Sequence, residues 1–521
     1  MELVWILGDQ LLPEHPLVGT PREGWAVAMV ESVPRARRLR YHQQKLTLLF
    51  AAMRHHGAAL ERAGHRVLYH RLEDALPGAA EAEAPGGEPP DSGEVLAAWV
   101  RLHGVRAIHV LEPNDFHTQA ALPALAERLG VPIELHPSPM FVLARQEFLD
   151  WAQGKRTLVM ERHYRRLRER LGVLMTAEGG PVGGVWNTDT ENRQTRSQFR
   201  KAGPAVPRVA TVEADAVVRE VAEQVARLFA DHPGKAAELW LPVTRAGALA
   251  WLERFVAERL EGFGPWEDLM VDQEPVLFHS VLSPLLNIGL LTPMECVRAA
   301  EAAWAEGRAP LASVEGFVRQ IVGWREFIHG MYWRHMPGYL EVNALEAHRP
   351  LPRWAYTGKT ELRCVGRAIE GALRLGYNHH IQRLMVLGNY FLLGGYAPRE
   401  VLRWYLEMYS DAYDWVMVPN VLGMVLYADG GWLATKPYAA GPAYLDKMGD
   451  HCASCRYNPK LKTGPDACPF QALYWAFQSR HADRFRPHPR QAMMVRQLDR
   501  MEDATRQGYV RTAERFLEGQ E

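Results

Sequence analysis

A change of hydrophobic period partway along the chain constrains the fold more than any other feature. From Leu3 to about Pro132, short apolar runs (LVWIL, WAVAMV, HRVLYH, AIHVL) alternate with helical stretches such as Tyr41 to Gly64. Short apolar strands separated by helical segments imply a parallel sheet, because parallel strands need a crossover and the crossover covers the sheet face. From Leu239 onward the strand signals fade, and long helical patterns rich in Trp, Tyr and Met replace them. The expected organisation is an α/β Rossmann-like domain over 1–132, a connection over 133–238, and an all-helical domain over 239–521. A chain of 521 residues exceeds one hydrophobic core, in keeping with that division.

Composition narrows the class. The chain is 47% hydrophobic and 23% charged, as expected of a globular protein. The start, MELVWILGDQLL, lacks a basic leader, and no apolar run reaches the ~18 residues of a membrane span. Together with only five cysteines, this points to a cytoplasmic protein in a reducing compartment, without a disulfide framework. A net charge of −1 carries no global nucleic-acid signal, so any DNA contact must come from a local basic patch. The acidic, Pro/Gly/Ala-rich stretch from Glu73 to Glu94 reads as a solvated loop.

Ligands of parallel sheets bind at the carboxyl ends of strands, which makes Gly8, Asp9 and Gln10 after the first strand, and Glu31 after the second, candidates. No GxGxxG follows the first strand, which weakens a dinucleotide reading, and Gly8 and Asp9 also fit a plain turn. In the connection, KRTLVMERHYRRLRER places Lys155, Arg156, Arg162, Arg165, Arg166, Arg168 and Arg170 on a short predicted helix. The run suits phosphate contact or a solvated helix face. The Gly- and Pro-rich segment after it reads as a long loop, and loops of that length are functional or disordered.

Near the C-terminus, Cys452, Cys455 and Cys468 lie in HCASCRYNPKLKTGPDACPF, with Cys364 upstream. A Cys-x2-Cys pair chelates one centre, and a third thiolate returning across a polar loop can complete it with a fourth, so zinc or an iron–sulfur cluster fits. Inert buried thiols are the alternative. A zinc ribbon would normally show a second Cys-x2-Cys, and the isolation of Cys364 tilts the reading towards a cluster. Cys296 reads as a core thiol.

The stretch YNHHIQRLMVLGNYFLL (Tyr377 to Leu393) is a predicted helix with His380 and Leu384 on one face and His379 one turn from Arg383. A histidine can donate a proton near neutral pH, and a buried arginine needs an acidic partner, for which Asp414 is a credible choice. Taken alone, a His–His pair on an apolar helix also fits a satisfied core or surface feature.

The segments ILGDQL, SVLSPLLNIGLL (Ser280 to Leu291), RQIVGWREF (Arg319 to Phe327), HHIQRLM and DWVMVPN together resemble the photolyase/cryptochrome family. With the four cysteines, the chain resembles its bacterial iron–sulfur branch, the prokaryotic (6-4) photolyases and related cryptochromes, over essentially its whole length. The resemblance implies an antenna-binding α/β domain joined to an all-helical FAD domain, with a [4Fe–4S] cluster on Cys364, Cys452, Cys455 and Cys468. It also implies a 6,7-dimethyl-8-ribityllumazine antenna near Gly8, Asp9, Gln10 and Glu31.

By position, Ser280 and Ser283 match residues near the FAD phosphates, Arg383 with Asp414 the ion pair beside the isoalloxazine, and Asn420 the residue facing flavin N5. His380, with His379 beside it, matches the proton donor. Gln320 matches the glutamine near the lesion where cyclobutane photolyases carry Glu, and Leu384 holds the place of a second histidine of eukaryotic (6-4) enzymes. Trp404, Tyr405 and Tyr356 match an electron-hopping chain, with Tyr356 where relatives carry Trp; Trp354 is an alternative terminal ring. Arg165, Arg166, Asp189 and Arg193 match DNA- and lesion-proximal elements, and Asp189 with Asp268 a place for a divalent ion such as Mg²⁺.

The expected function is light-driven repair of UV-damaged DNA by a monomer without membrane contact. The alternatives are a blue-light photoreceptor without repair activity, a cyclobutane pyrimidine dimer photolyase, and a metal-stabilised nucleic-acid-binding protein similar to primase large subunits.

Overall fold

The computed structural model describes residues 1–78 and 89–520. Five strands, β1 (Glu2–Trp5), β2 (Trp25–Val30), β3 (Val67–His70), β4 (Ala107–Leu111) and β5 (Ile133–His136), form one sheet in the order β3-β2-β1-β4-β5. Every pairing is parallel, with a loop joining β1 to β2 and helical crossovers joining the later strands. The fifth strand carries the sheet just past the expected boundary at 132. Part of the expected loop between Glu73 and Glu94 lies outside the described residues, and its end, Ser92 to Glu94, is the first turn of a helix capped by Asp91.

Three helices cross between strands: α1 (Gln43–Arg62), α2 (Ser92–His103) and α3 (Phe116–Leu129). Alternation along the strands sends Leu3, Trp5, Ile108 and Val110 to the face covered by α2 and α3. Val4, Val27, Met29 and Leu111 face α1 and join a core that continues into the helical body. The domains are therefore packed together: Leu11 N–H donates to Ile288 C=O at 2.8 Å and His42 N–H to Glu407 C=O at 2.7 Å.

The basic run folds as α4 (Met160–Leu171). It is followed by a loop interrupted by a short helix at Arg196–Ala202. Beyond β5 the described elements are helices, as expected. They include α5 (Leu260–Trp266), α6 (Leu311–Val318), α7 (Arg363–Leu375), α8 (Pro398–Met408) and α9 (Pro469–Arg480). Among the described residues three segments are π-helical: Arg319–Arg325, Gln382–Gly388 and Val418–Val425. A π-turn widens the backbone and re-aims side chains, and such segments gather at functional sites. Two of them meet where Gly388 leaves room: a Cβ there would lie 2.5 Å from Val425 Cγ1. No described helix is long and apolar enough to cross a membrane.

Candidate functional site

The three π-helical segments converge on a cavity of about 660 Å³ in the helical body. Each contributes a polar side chain to its wall: Gln320 from the first, Arg383 from the second and Asn420 from the third. Ser280, Ser283, His380, Tyr405 and Met424 also line it, among many apolar side chains. This volume and mixture suit an organic cofactor held by a few fixed polar groups.

Arg383 organises the wall. Its guanidinium donates to Asp411 Oδ1 at 2.8 Å and Oδ2 at 3.2 Å, and its Nε donates to Asn378 C=O at 2.8 Å. Ser283 Oγ donates to Asp411 Oδ2 at 2.6 Å, and Asn287 donates to Asp411 C=O at 2.8 Å. The expected partner, Asp414, is instead bonded to Arg38 of the N-terminal domain at 3.1 Å. Both acids lie in DAYD; the turn before Asp414 aims it at the domain junction, while Asp411 faces the cavity. Asn420 Nδ2 is committed to Val416 C=O at 2.8 Å, leaving Oδ1 as the amide's other polar atom.

His380 opens onto the cavity. Burial in its surroundings, with the positive charges of Arg383 and Arg193, lowers its pKa to about 4. His379 does not line the cavity. It is buried and stacks on His279 with ring centroids 4.6 Å apart, so the structure places it behind His279 rather than at the catalytic position expected for it. His279 does line the cavity, and burial lowers its pKa to about 4. Gln320 donates to Gly316 C=O at 3.1 Å.

At one end of the cavity, Arg193 lies among Asp189, Glu267 and Asp268. Its Nε donates to Glu267 at 3.1 Å and its Nη2 to Asp189 Oδ1 at 3.3 Å. Burial raises the Glu267 pKa to about 7 and raises that of Asp268. The loop carrying Asp189 is pinned: Thr188 N–H and Oγ1 both bond Glu315, Asn192 bonds Ala312 C=O, and Asp189 pairs with Arg319. On α4, Arg165 is exposed and bonded to Glu161 at 2.9 Å, and Arg166 is half-buried. Arg168, by contrast, is buried and donates to the carbonyls of Val173, Leu174 and Trp186.

On the cavity wall, Tyr405 of α8 donates to Arg383 C=O at 2.6 Å, and Trp404 lies 5.3 Å from it by ring centroid. The Trp404 indole N–H donates to Ala355 C=O at 2.8 Å, which brings it to the residue preceding Tyr356. Tyr356 is half-buried beneath Arg40. Burial and the neighbouring Glu407 carboxylate push its pKa up to about 12.

Cys364 begins α7, Cys452 and Cys455 flank a single turn, and Cys468 precedes α9. Burial first, then the neighbouring sulfurs, push the Cys364 thiol well up. Burial likewise raises Cys468 to about 12. Sulfurs close enough to disfavour one another's ionisation suit a shared cation, which would offset that repulsion. Among the described residues, no three of these sulfurs lie within 4.8 Å of one another.

At the carboxyl ends of β1 and β4, Asn114 donates to Asp9 Oδ2 at 2.9 Å and Gln10 to Glu112 C=O at 2.9 Å, which closes the point where strand order reverses. Gly8 allows close approach to α1, since a Cβ would meet Met53 Sδ at 2.9 Å. Glu31 differs from its expected ligand role: its carboxylate accepts from Arg54, Tyr69 and Leu72 and braces β2 against α1 and β3.

Sequence reasoning missed Asp411, His279, Glu267 and the π-helical segments. Asp411 alone had a local signal, as the first acid of DAYD; the others depend on tertiary packing.

Residues 4–240 match the family described as deoxyribodipyrimidine photo-lyase-related protein. Over 518 residues, covering 99% of each chain, the protein is 40% identical to a (6-4) photolyase of Agrobacterium fabrum. Its fold is similar to a bacterial class III photolyase from Agrobacterium tumefaciens, with TM-score 0.55 and 14% identity over 99% of this chain and 98% of that one. It is also similar to a Synechocystis cryptochrome, with TM-score 0.58 and 11% identity over 100% and 99%.

Proposed function

The chain belongs to the photolyase/cryptochrome family, and on that premise we propose that it repairs (6-4) pyrimidine–pyrimidone photoproducts in UV-damaged DNA under light. The observation that carries this reading is the convergence of His380 and Gln320 on the cavity walled by the Arg383–Asp411 pair. The cavity fits FAD chemically: it is mostly apolar, and polar atoms on its wall, Asn378 Nδ2, His279 Nε2 and Trp415 Nε1, are buried without a protein partner. When bound, FAD supplies the light-driven electron that reversal of such a lesion requires.

The remaining work belongs to this chain. Ser280, Ser283, Arg383 and Asn420 hold the cofactor, Asp411 fixes Arg383 and Ser283, and Asn420 Oδ1 is suited to accept from an N–H group. His380 delivers the mobile proton to the lesion, and Gln320 positions the lesion by hydrogen bonding. A damaged base pair is already weakened, so its extrusion into the cavity costs less than that of an intact pair, which provides selectivity without sequence readout. Arg165 and Arg166 contact phosphate, with the pinned loop through Arg193 beside the lesion. Arg193 already supplies the counter-charge for Asp189 and Asp268, so Mg²⁺ there would have to displace it.

Tyr405, Trp404 and Tyr356 form the relay that keeps the site reduced. A [4Fe–4S] cluster on the four cysteines joins α7 to the C-terminal segment. A ribityllumazine antenna would bind at the domain junction on the side of Asp9, where Lys45 packs against the rings of Tyr41 and Tyr413.

The deciding experiment is illumination of the reduced holoprotein with oligonucleotides bearing either a (6-4) or a cyclobutane lesion. Restoration of the (6-4) lesion alone is expected. Restoration of only the cyclobutane lesion would make it the other photolyase class, and restoration of neither would leave the photoreceptor reading.

A further inference from the structure

Far from the cavity, the register of the last two strands assembles a second ligand set. His109 on β4 pairs with Glu134 on the edge strand β5, and His136 follows two residues later on the same face. His109 Nδ1 lies 3.2 Å from His136 Nε2 and 3.3 Å from Glu134 Oε2, and all three ligand atoms fall within 4.8 Å of one another. Two imidazoles and a carboxylate around a tetrahedral zinc, with bonds of about 2.0–2.2 Å, place ligand atoms about 3.3 Å apart. The separations observed from His109 are those of a chelating set.

A second observation points the same way. The other nitrogen of His109, Nε2, is buried without a hydrogen-bond partner and faces Glu2 Oε2 at 3.4 Å. A metal-bound histidine characteristically donates its second N–H to a carboxylate, which fixes the tautomer and strengthens the ligand. Arg106 pairs with Oε1 of the same Glu2 at 3.1 Å, and Trp25 stacks on the His109 ring at 5.0 Å, so both carboxylate and ring are held in place. Glu134 reaches solvent, which leaves an entry path and an open coordination position.

We propose that His109, Glu134 and His136 bind one borderline divalent transition cation, zinc being the type case, with Glu2 as the outer carboxylate. Two imidazoles select such a cation over Mg²⁺ or Ca²⁺, which prefer all-oxygen sites. The ion clasps β5 to β4 where the sheet would otherwise end in an unprotected edge. The site is independent of the four cysteines, which lie in the helical body.

Titration calorimetry of the holoprotein with Zn²⁺ tests this, with Co²⁺ absorption as a second readout. One equivalent is expected to bind. His136→Ala and Glu134→Gln should each weaken it at least tenfold, and Glu2→Gln about 10- to 100-fold, as for other outer carboxylates. Bound Co²⁺ should show d–d bands without thiolate charge transfer, at unchanged flavin content. Absence of zinc binding, an isotherm unchanged in His136→Ala and Glu134→Gln, or thiolate bands on Co²⁺ would each overturn the proposal.

Discussion

The guanidinium of Arg383 meets Asp411 through two nitrogens, at 2.8 and 3.2 Å, inside the cavity wall. Asp411 also accepts from Ser283, so one carboxylate sets both the arginine and the serine that face the cavity. Removing one member of a buried pair leaves an uncompensated charge, at a cost of about 3–5 kcal/mol. Asp411→Ala is therefore expected to lose flavin and to unfold at lower denaturant, whereas Asp414→Ala, which breaks a half-exposed pair with Arg38, retains flavin. Flavin absorbance per protein and denaturation midpoints check this; equal flavin loss in both variants would contradict it.

The pKa of His380 is lowered in the bare site by its enclosed setting and by the positive charges of Arg383 and Arg193, which favours the neutral ring. Donation to a lesion requires that the incoming DNA phosphates offset those two positive charges. A histidine NMR titration should place His380 below the ordinary histidine range without DNA and at least about one unit higher with lesion DNA, each unit being worth about 1.4 kcal/mol. His380→Ala should abolish repair while retaining flavin. Unchanged repair in that variant would remove the proton-donor role.

Much of this site was legible because it is written in local order: the strand runs, the HHIQRLM stretch and the cysteine spacing need only neighbours in sequence. What was not legible depends on packing. β5 reads IELH with two exposed side chains, so its apolar signal is weak. The choice between Asp411 and Asp414 is settled by which of two facing elements each meets. A π-turn has the composition of an α-turn and no signature of its own. Arg168 did carry a signal, since it falls one turn after buried Tyr164 on the apolar face of α4, yet it was grouped with the outward basic residues.

That grouping makes a sharp contrast testable. Arg165 is exposed, and Arg168 caps three carbonyls in the interior. Arg165→Ala with Arg166→Ala should reduce the log–log salt dependence of duplex binding by up to about two, at ~0.9 per phosphate contact, without loss of fold. Arg168→Ala should instead lower stability by about 1–3 kcal/mol through orphaned carbonyls. An unchanged salt slope in the double variant would take these residues out of the interface.

Tyr356 differs from a tryptophan in that its oxidation releases a phenolic proton, and the neighbouring Glu407 carboxylate, whose Oε2 is buried without a hydrogen-bond partner, is a candidate acceptor for it. Glu407 is buried and held by Arg403 at 3.0 Å. Tyr356→Phe should slow photoreduction of the bound flavin, and Glu407→Gln should slow it comparably by removing the acceptor. A solvent deuterium effect on that rate is expected in the native protein and absent from Tyr356→Phe. Unaffected kinetics in Tyr356→Phe would assign the terminal position to another ring, such as Trp354.

Acid sensitivity follows from the buried histidines. His42, His163 and His279 are held neutral by burial, with pKa values lowered to about 4, 3 and 4. Between pH 6.5 and 4 the unfolded chain takes up protons at these positions and the native state does not, so native stability falls as pH falls through that window. Glu267 acts in the opposite sense, because its raised pKa of about 7 lets the native state take up a proton first. The histidines outnumber it, so net stability should decline from pH 6.5 towards 4. Denaturant midpoints across this range check the sign, and His42→Gln should flatten the decline while retaining a polar group near Leu373 C=O, to which the His42 ring is bonded at 2.9 Å. A midpoint that stays level or rises over the same window would show that the carboxylates dominate.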